Sequence, residues 1–215
     1  MKNTEPQNTR QWELKEIERV KTLWYKPKLL MQSCCAVCNA WPLEYLYEVF
    51  DITLYYNNSN IYPSEEYEHR LGELKRYVDL FNTKNNSNIL IVDEPYDYES
   101  YKSIFLEKRK DDKEGRQRCG MCYALRINQA MKYASEHSFE YVTTVMTISR
   151  QKNSNKINDI AKRIASGYPN LHYFFSDFKK ANGLNFSINI AKSLDIYAQE
   201  YCGCEFSIDD RHYEV

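Results

Sequence analysis

Apolar positions along the chain follow two rhythms that alternate. In "PSEEYEHRLGELKRYVDLF" (63–81), Tyr67, Leu71, Leu74, Val78 and Phe81 recur at helical spacing, which predicts one buried face of a helix. Pro63 and the acids behind it suit that helix's first turn. Short apolar or β-branched runs bounded by polar residues predict strands at "KLLMQS" (28–33), "ITLYYNN" (52–58), "NILIVD" (88–93), "EYVTTVMT" (140–147) and "LHYFFSD" (171–177). Further helices are expected over "PLEYLYEVF" (42–50), through Tyr123, Ile127, Ala130 and Ala134, and through Ile157, Ile160, Ala161 and Ile164, the last closed near Gly167. Strands alternating with helices predict an α/β fold, a mainly parallel sheet of about five strands covered on both faces. Residues 1–26 are polar, with a helical look from Trp12 to Trp24 ended by Pro27. They are expected to be an N-terminal extension to a single domain over 27–215.

Composition adds little to this reading. The chain has 215 residues, a net charge of −1 and no global basic field, so contact with nucleic acid requires a local patch. Nineteen tyrosines suggest half-wet packing or stacking platforms, though core filling accounts for most of them. No apolar run reaches the length of a membrane span and no signal core is visible, which predicts a cytoplasmic protein. The sequons at Asn57 and Asn85 are then expected to be plain loop residues. No G-x-G-x-x-G or Walker A motif is present, so a nucleotide cofactor is not indicated.

Seven cysteines add a great deal. Cys34, Cys35 and Cys38 follow the first predicted strand, Cys119 and Cys122 form a C-x-x-C at the start of a predicted helix, and Cys202 and Cys204 form a C-x-C near the C-terminus. In a reducing compartment such clustering argues for metal or redox chemistry rather than a disulfide framework. Parallel sheets bind ligands beyond the carboxyl ends of their strands, where the first group falls. Thiolate-only sites select zinc or iron–sulfur clusters, and a helix N-terminus favours the thiolate form. A C-x-C disulfide closes a small strained ring that reduces easily, which suits electron relay. Three readings stay open: a metal-dependent reductase, a zinc-stapled RNA-binding module, and a thiol–disulfide oxidoreductase using Cys202 and Cys204.

The joint pattern "SCCAVC" (33–38), "NSNIYPSEEYEHRLGELKRY" (58–77), "RQRCGMCYALRI" (116–127), "VTTVMTIS" with the following "KN", and "SDFKKANGLNFSINIAKSLDIYAQEYCGCEFS" (176–207) resembles the QueH-type epoxyqueuosine reductases. The resemblance covers about residues 27–207. It implies a Rossmann-like three-layer sandwich and reduction of the epoxide of epoxyqueuosine, at the tRNA wobble position, to queuosine. It also implies a 4Fe–4S cluster on Cys34, Cys35, Cys119 and Cys122, an additional mononuclear iron, a redox-active Cys202–Cys204 pair and an external electron donor. Some members carry Asp where this chain has Cys38, which makes Cys38 an expected ligand of the second metal.

Such an enzyme must hold a splayed anticodon loop. The run "KRKDDKEGRQR" (108–118) offers Lys108, Arg109, Lys110, Arg116 and Arg118 to phosphates, and Arg150, Lys152, Lys179 and Lys180 form a second candidate patch. Tyr123 and Asp177 lie beside motif residues and are the candidate proton donors. His69, His137, His172 and His212 show no ligand-type spacing and are expected to be structural.

Overall fold

A computed structural model describes residues 8–106 and 109–209. Five strands form one sheet: β1 (Lys28–Ser33), β2 (Asp51–Tyr56), β3 (Leu90–Asp93), β4 (Tyr141–Thr144) and β5 (His172–Tyr173). Their order is β3-β2-β1-β4-β5 and every pairing is parallel. The chain steps outward from β1 to β2 and β3, then crosses back to add β4 and β5 on β1's other side. The order therefore reverses between β1 and β4, and the crevice beyond their carboxyl ends is where such sheets hold ligands.

Alternation along the central strands splits the interior in two. Leu29, Met31, Ile52, Leu54 and Tyr56 face one core, with α2 (Ala36–Leu46) and α3 (Ser64–Asn85) over them. Leu30, Tyr55 and Val142 face the other, under α5 (Gln117–Glu136) and α6 (Ser154–Ala165). The sheet is thus covered on both faces, as the alternating pattern predicts. The first helix, α1 (Thr9–Lys21), is capped by Asn8 and packs Ile17 and Val20 into the first core. Its Trp12 meets Phe174 and Phe175 edge-on at 5.5 and 5.2 Å. The short α4 (Tyr98–Tyr101) runs into a π-helical turn, Lys102–Leu106, before the basic loop. Near the C-terminus, α7 (Gly183–Ser193) lies on α2, and α8 (Phe206–Asp209) follows the C-x-C. The packing of α7 on α2 depends on Gly183, where a Cβ would fall 2.3 Å from both the Phe178 carbonyl and the Trp41 ring.

Several boundaries depart from the periodicity. The second helix begins at Ala36, not Pro42, because the Cys35 sulfur caps it by accepting from the Cys38 N–H at 3.2 Å; Pro42 lies inside it. The fourth strand stops at Thr144. Val145–Ile148 coil into a 3-10 turn, and the Thr144 hydroxyl accepts from the Met146 N–H at 3.1 Å. The fifth strand keeps only two residues of the apolar run, and α1 ends at Lys21, well before Pro27. Asn85 is the last residue of α3 rather than a loop residue.

Candidate metal centre

β1 delivers its last residue, Ser33, to the crevice, and the chain turns at once into α2. That turn gathers three sulfurs: the Sγ atoms of Cys34, Cys35 and Cys38 lie within 4.8 Å of one another. Among the described residues, this is the group of three or more His, Cys, Asp or Glu ligand atoms that converges so closely. The Cys34 and Cys35 sulfurs are 4.0 Å apart. Two thiolates sharing one tetrahedral metal at bonds of about 2.3 Å sit about 3.8 Å apart, so this spacing fits thiophilic metal binding.

The electrostatics of the trio concentrate charge. The Cys34 thiol is held well below its ordinary range by hydrogen bonds from Cys35 and Cys38, with Arg126 and Lys152 adding to the pull. Burial pushes Cys35 far up, and the demand of Cys34 pushes Cys38 to about 12. Negative charge on the trio is therefore favoured at Cys34 over Cys35 and Cys38. A thiophilic cation would displace the remaining protons, since only deprotonated sulfur ligates.

An amide network fixes these sulfurs. The Gln199 Nε2 donates to the sulfurs of Cys35 at 3.0 Å and Cys38 at 3.5 Å. The Asn39 side chain donates to the Cys35 carbonyl at 2.7 Å and accepts from the Ser33 hydroxyl at 2.8 Å. Asn58 donates to the Ser33 carbonyl at 2.9 Å. Asn57 accepts from Gln32 at 3.0 Å and donates to the Arg126 carbonyl at 3.0 Å. Asn57 is therefore a buried tie between β1, β2 and α5, not an open sequon.

The other thiols lie on two further elements and, among the described residues, are not part of the converging trio. Cys119 and Cys122 lie in the first turns of α5, both buried; burial raises both thiols. The Gly115 N–H donates to the Cys119 sulfur at 3.2 Å, and Tyr101 hydrogen-bonds to Cys122. Cys202 and Cys204 are half-buried free thiols, and each faces the charge field of Cys122. Burial, then the charge of Cys202, pushes Cys204 to about 11.

Arg70 bolts their loop in place. It is 2% exposed, ion-pairs with Glu66 at 2.6 Å, and donates to the carbonyls of Tyr201 at 3.1 Å and Cys202 at 3.3 Å. Gly203 sits at φ +128°, and a Cβ there would press on Ile61, Arg70 and Asn60 at 3.1 to 3.3 Å.

The predicted basic residues divide. Arg109, Lys110 and Arg116 are exposed. Arg109 and Arg116 line an open cleft of about 610 Å³ with Lys113, Lys156 and two carboxylates, Asp111 and Asp112. Arg118 does something else. It is 3% exposed, its guanidinium donates to the carbonyls of Arg109 at 3.1 Å, Lys110 at 3.2 Å and Asp112, and it stacks on Phe206 at 4.3 Å. A charge run does not reveal which of its cations turns inward to close the loop. Lys108 and His212 lie outside the described residues.

In the second patch, Arg150 and Lys180 are exposed, but the Lys179 ammonium is held by the Thr147 carbonyl at 2.8 Å, by Ser154 and by Asp177 at 3.3 Å. Lys152 points inward. Burial opposes its charge, but Cys202, Tyr123, Cys34 and Cys38 together raise its pKa. Tyr123 is buried and its hydroxyl is raised, chiefly by desolvation. Asp177 accepts from Ser154 at 2.9 Å and pairs with Lys179, which makes it part of the scaffold. The histidines are structural where described: His69 stacks on Tyr197 at 4.2 Å, His137 closes α5 on the Tyr133 carbonyl at 2.8 Å, and His172 lies in β5 against Tyr141.

Sequence reasoning missed Arg70, Arg126, Gln199 and the asparagines. A signal existed for Arg126, which follows Cys119 and Cys122 at helical spacing in "CGMCYALR".

Comparison with known proteins places the chain in a family. The family described as "Epoxyqueuosine reductase QueH" matches residues 29–210. A relative from Staphylococcus aureus named epoxyqueuosine reductase QueH is 35% identical over 198 residues, 92% of this chain and 79% of its own length. Proteins of the same name from Acinetobacter baylyi and Thermotoga maritima are 36% and 29% identical over 85% and 87% of this chain, and over 81% and 95% of their own lengths. The matched span holds all seven cysteines together with Arg70, Arg126 and Gln199, so the chain belongs to the epoxyqueuosine reductase QueH family.

Proposed function

We propose that this chain reduces the epoxide of epoxyqueuosine in a tRNA anticodon to the alkene of queuosine, using an iron–sulfur centre held by its cysteines. The observation that carries the reading is the buried convergence of Cys34, Cys35 and Cys38 at the point where the strand order reverses. Family membership supplies the substrate. The donor set fits the group: soft sulfur ligands, a helix-start N–H from Cys38 aimed at the Cys35 sulfur, and a buried Arg126 whose Nε has no partner. Cys34, Cys35, Cys119 and Cys122 would hold a 4Fe–4S cluster, with Cys38 ligating an additional iron. When bound, such a centre supplies single-electron transfer at low potential.

The reaction consumes two electrons and two protons and releases the epoxide oxygen as water. The Cys202 and Cys204 dithiol can yield both on closing to a disulfide, which an external donor must then reopen. The left-handed backbone at Gly203 lets the two sulfurs approach, and Arg70 holds their carbonyl side fixed while they cycle. Gln199 keeps Cys35 and Cys38 oriented. Arg109, Lys113, Arg116 and Lys156 form the cleft that receives anticodon phosphates. Among the described residues, no helix is long and apolar enough to cross a membrane.

The test is product formation. Anaerobically purified chain is incubated with epoxyqueuosine-containing tRNA and a reductant, and nucleosides are read by mass spectrometry. Conversion to a nucleoside lighter by one oxygen is expected. Unchanged epoxyqueuosine with iron-loaded protein contradicts the activity.

A further inference from the structure

Two cations stand inside the thiol-lined end of the sheet. Arg126 lies on the same face of α5 as Cys119 and Cys122, two turns and one turn further on. It is 4% exposed. One terminal nitrogen donates to the Asn58 side-chain oxygen, and the Asn58 amide in turn holds the carbonyl of Ser33, the residue before Cys34. Its Nε is buried without a partner, and among the described residues no carboxylate pairs with it. The titratable groups that face it are sulfurs, Cys122, Cys34 and Cys202, with the Tyr101 hydroxyl, and the Cys34 thiol has its pKa held down. A buried guanidinium without a counter-charge is costly, so its burial calls for negative charge beside it.

Lys152 comes from the turn between the 3-10 helix and α6, the helix that packs beside α5 on the same face of the sheet. It lines an open cleft of about 380 Å³. Its neighbour Lys179 shows what a structural lysine looks like here, held by two carbonyls, a hydroxyl and a carboxylate. Lys152 donates one long hydrogen bond, 3.4 Å to the Ser149 hydroxyl, and otherwise faces Cys202, Tyr123, Cys34 and Cys38.

We propose that Arg126 and Lys152 are a pair of fixed counter-charges that flank the metal centre and hold its reduction potential up. The inference rests on the iron–sulfur reading above. Thiolate-bound centres are hard to reduce because the added electron meets the ligands' negative charge, and nearby positive charge eases that step. At an effective dielectric constant of about 20, one unit charge within about 12 Å changes the reduction equilibrium by at least about tenfold. That corresponds to about 59 mV for one electron. Both are positioning residues, because they act through the ligands rather than on the substrate.

The experiment is an anaerobic spectroelectrochemical titration of the full chain, with iron and sulfide content determined on each sample. Arg126→Gln and Lys152→Gln are compared with Arg126→Lys and Lys152→Arg. The neutral variants are expected to keep wild-type iron and to shift against reduction by about tenfold or more each. The charge-conserving variants are expected to recover most of that shift. Lys152 sits on a half-buried turn, so Lys152→Gln carries the test even where Arg126→Gln unfolds. Iron-loaded neutral variants with the wild-type potential overturn this inference alone. A wild-type chain that takes up no iron overturns the cofactor reading, and this inference with it.

Discussion

At Cys35 one sulfur carries three duties. It caps α2 through the Cys38 N–H, accepts from Gln199, and stands 4.0 Å from Cys34. Replacing it with Ser keeps a capping oxygen but removes the soft donor. We expect Cys35→Ser to fold, with a melting temperature close to wild type, and to lose most of its bound iron; full iron occupancy would remove Cys35 from the ligand set. The C-x-C behaves differently. Cys202→Ser should retain iron at the wild-type level while turnover with a thiol-based donor falls on the order of tenfold or more. Wild-type turnover in that variant would rule out a relay through Cys202 and Cys204. These residues were legible as chemistry because sulfur clustering is rare by chance. Gln199 and Asn57 were not, because an amide in a sequence has no chemistry of its own. Its role comes from what lies across the fold, and Gln199 is 164 positions from the Cys35 sulfur it holds. Arg118 misled for the same reason, since the direction of a side chain is set by its loop and not by its neighbours in sequence.

Among the elements, the loop 201–204 is held by a backbone that only glycine adopts easily. Gly203→Ala adds a strained φ and close approaches of 3.1 to 3.3 Å. A cost of about 1–2 kcal/mol follows, or a melting temperature lower by about 2–8 °C for a chain of this size. An unchanged melting curve would show that Arg70 and Asn60 give way freely. The first helix offers a pH-dependent case. Burial raises the Glu16 carboxyl, but hydrogen bonds from Arg19 and Tyr141 outweigh it and hold the pKa below the usual carboxylate range. A depressed folded pKa contributes stability that is present above the unfolded value and lost as pH falls through the folded one. The difference in melting temperature between wild type and Glu16→Gln should therefore be full near neutrality and shrink in acid. A constant difference across that range would detach α1's grip from the Glu16 charge. Strand and helix positions were legible from period alone, but their ends were not. A side-chain cap at Cys35 starts α2 at Ala36, well before Pro42, and a hydroxyl at Thr144 stops β4 inside its apolar run.

For the molecule as a whole, a chain of net charge −1 must bind a polyanion through segregated charge. The cleft of Arg109, Lys113, Arg116 and Lys156, where four cations outnumber Asp111 and Asp112, lies beside the start of α5, whose first turns carry Cys119 and Cys122. Replacing Arg109 and Arg116 with Ala should weaken tRNA binding and reduce the salt slope by about 0.7–0.9 for each phosphate no longer neutralised. An unaltered slope would place the tRNA elsewhere. The crevice itself was legible from the strand pattern, because alternating strands and helices imply a parallel sheet whose ligands sit at its carboxyl end. The convergence of Cys34, Cys35 and Cys38 there could be expected only from their number and spacing; which further sulfurs share a metal depends on distances that no sequence contains. Whether these cysteines hold iron and sulfide decides the rest, and the visible spectrum and metal content of the full chain purified without oxygen answer it. We expect a brown protein with broad absorption that bleaches with dithionite, and with iron and labile sulfide in matching amounts. A colourless protein carrying stoichiometric zinc after anaerobic reconstitution would refute the iron–sulfur centre and make the "SCCAVC" turn a structural staple.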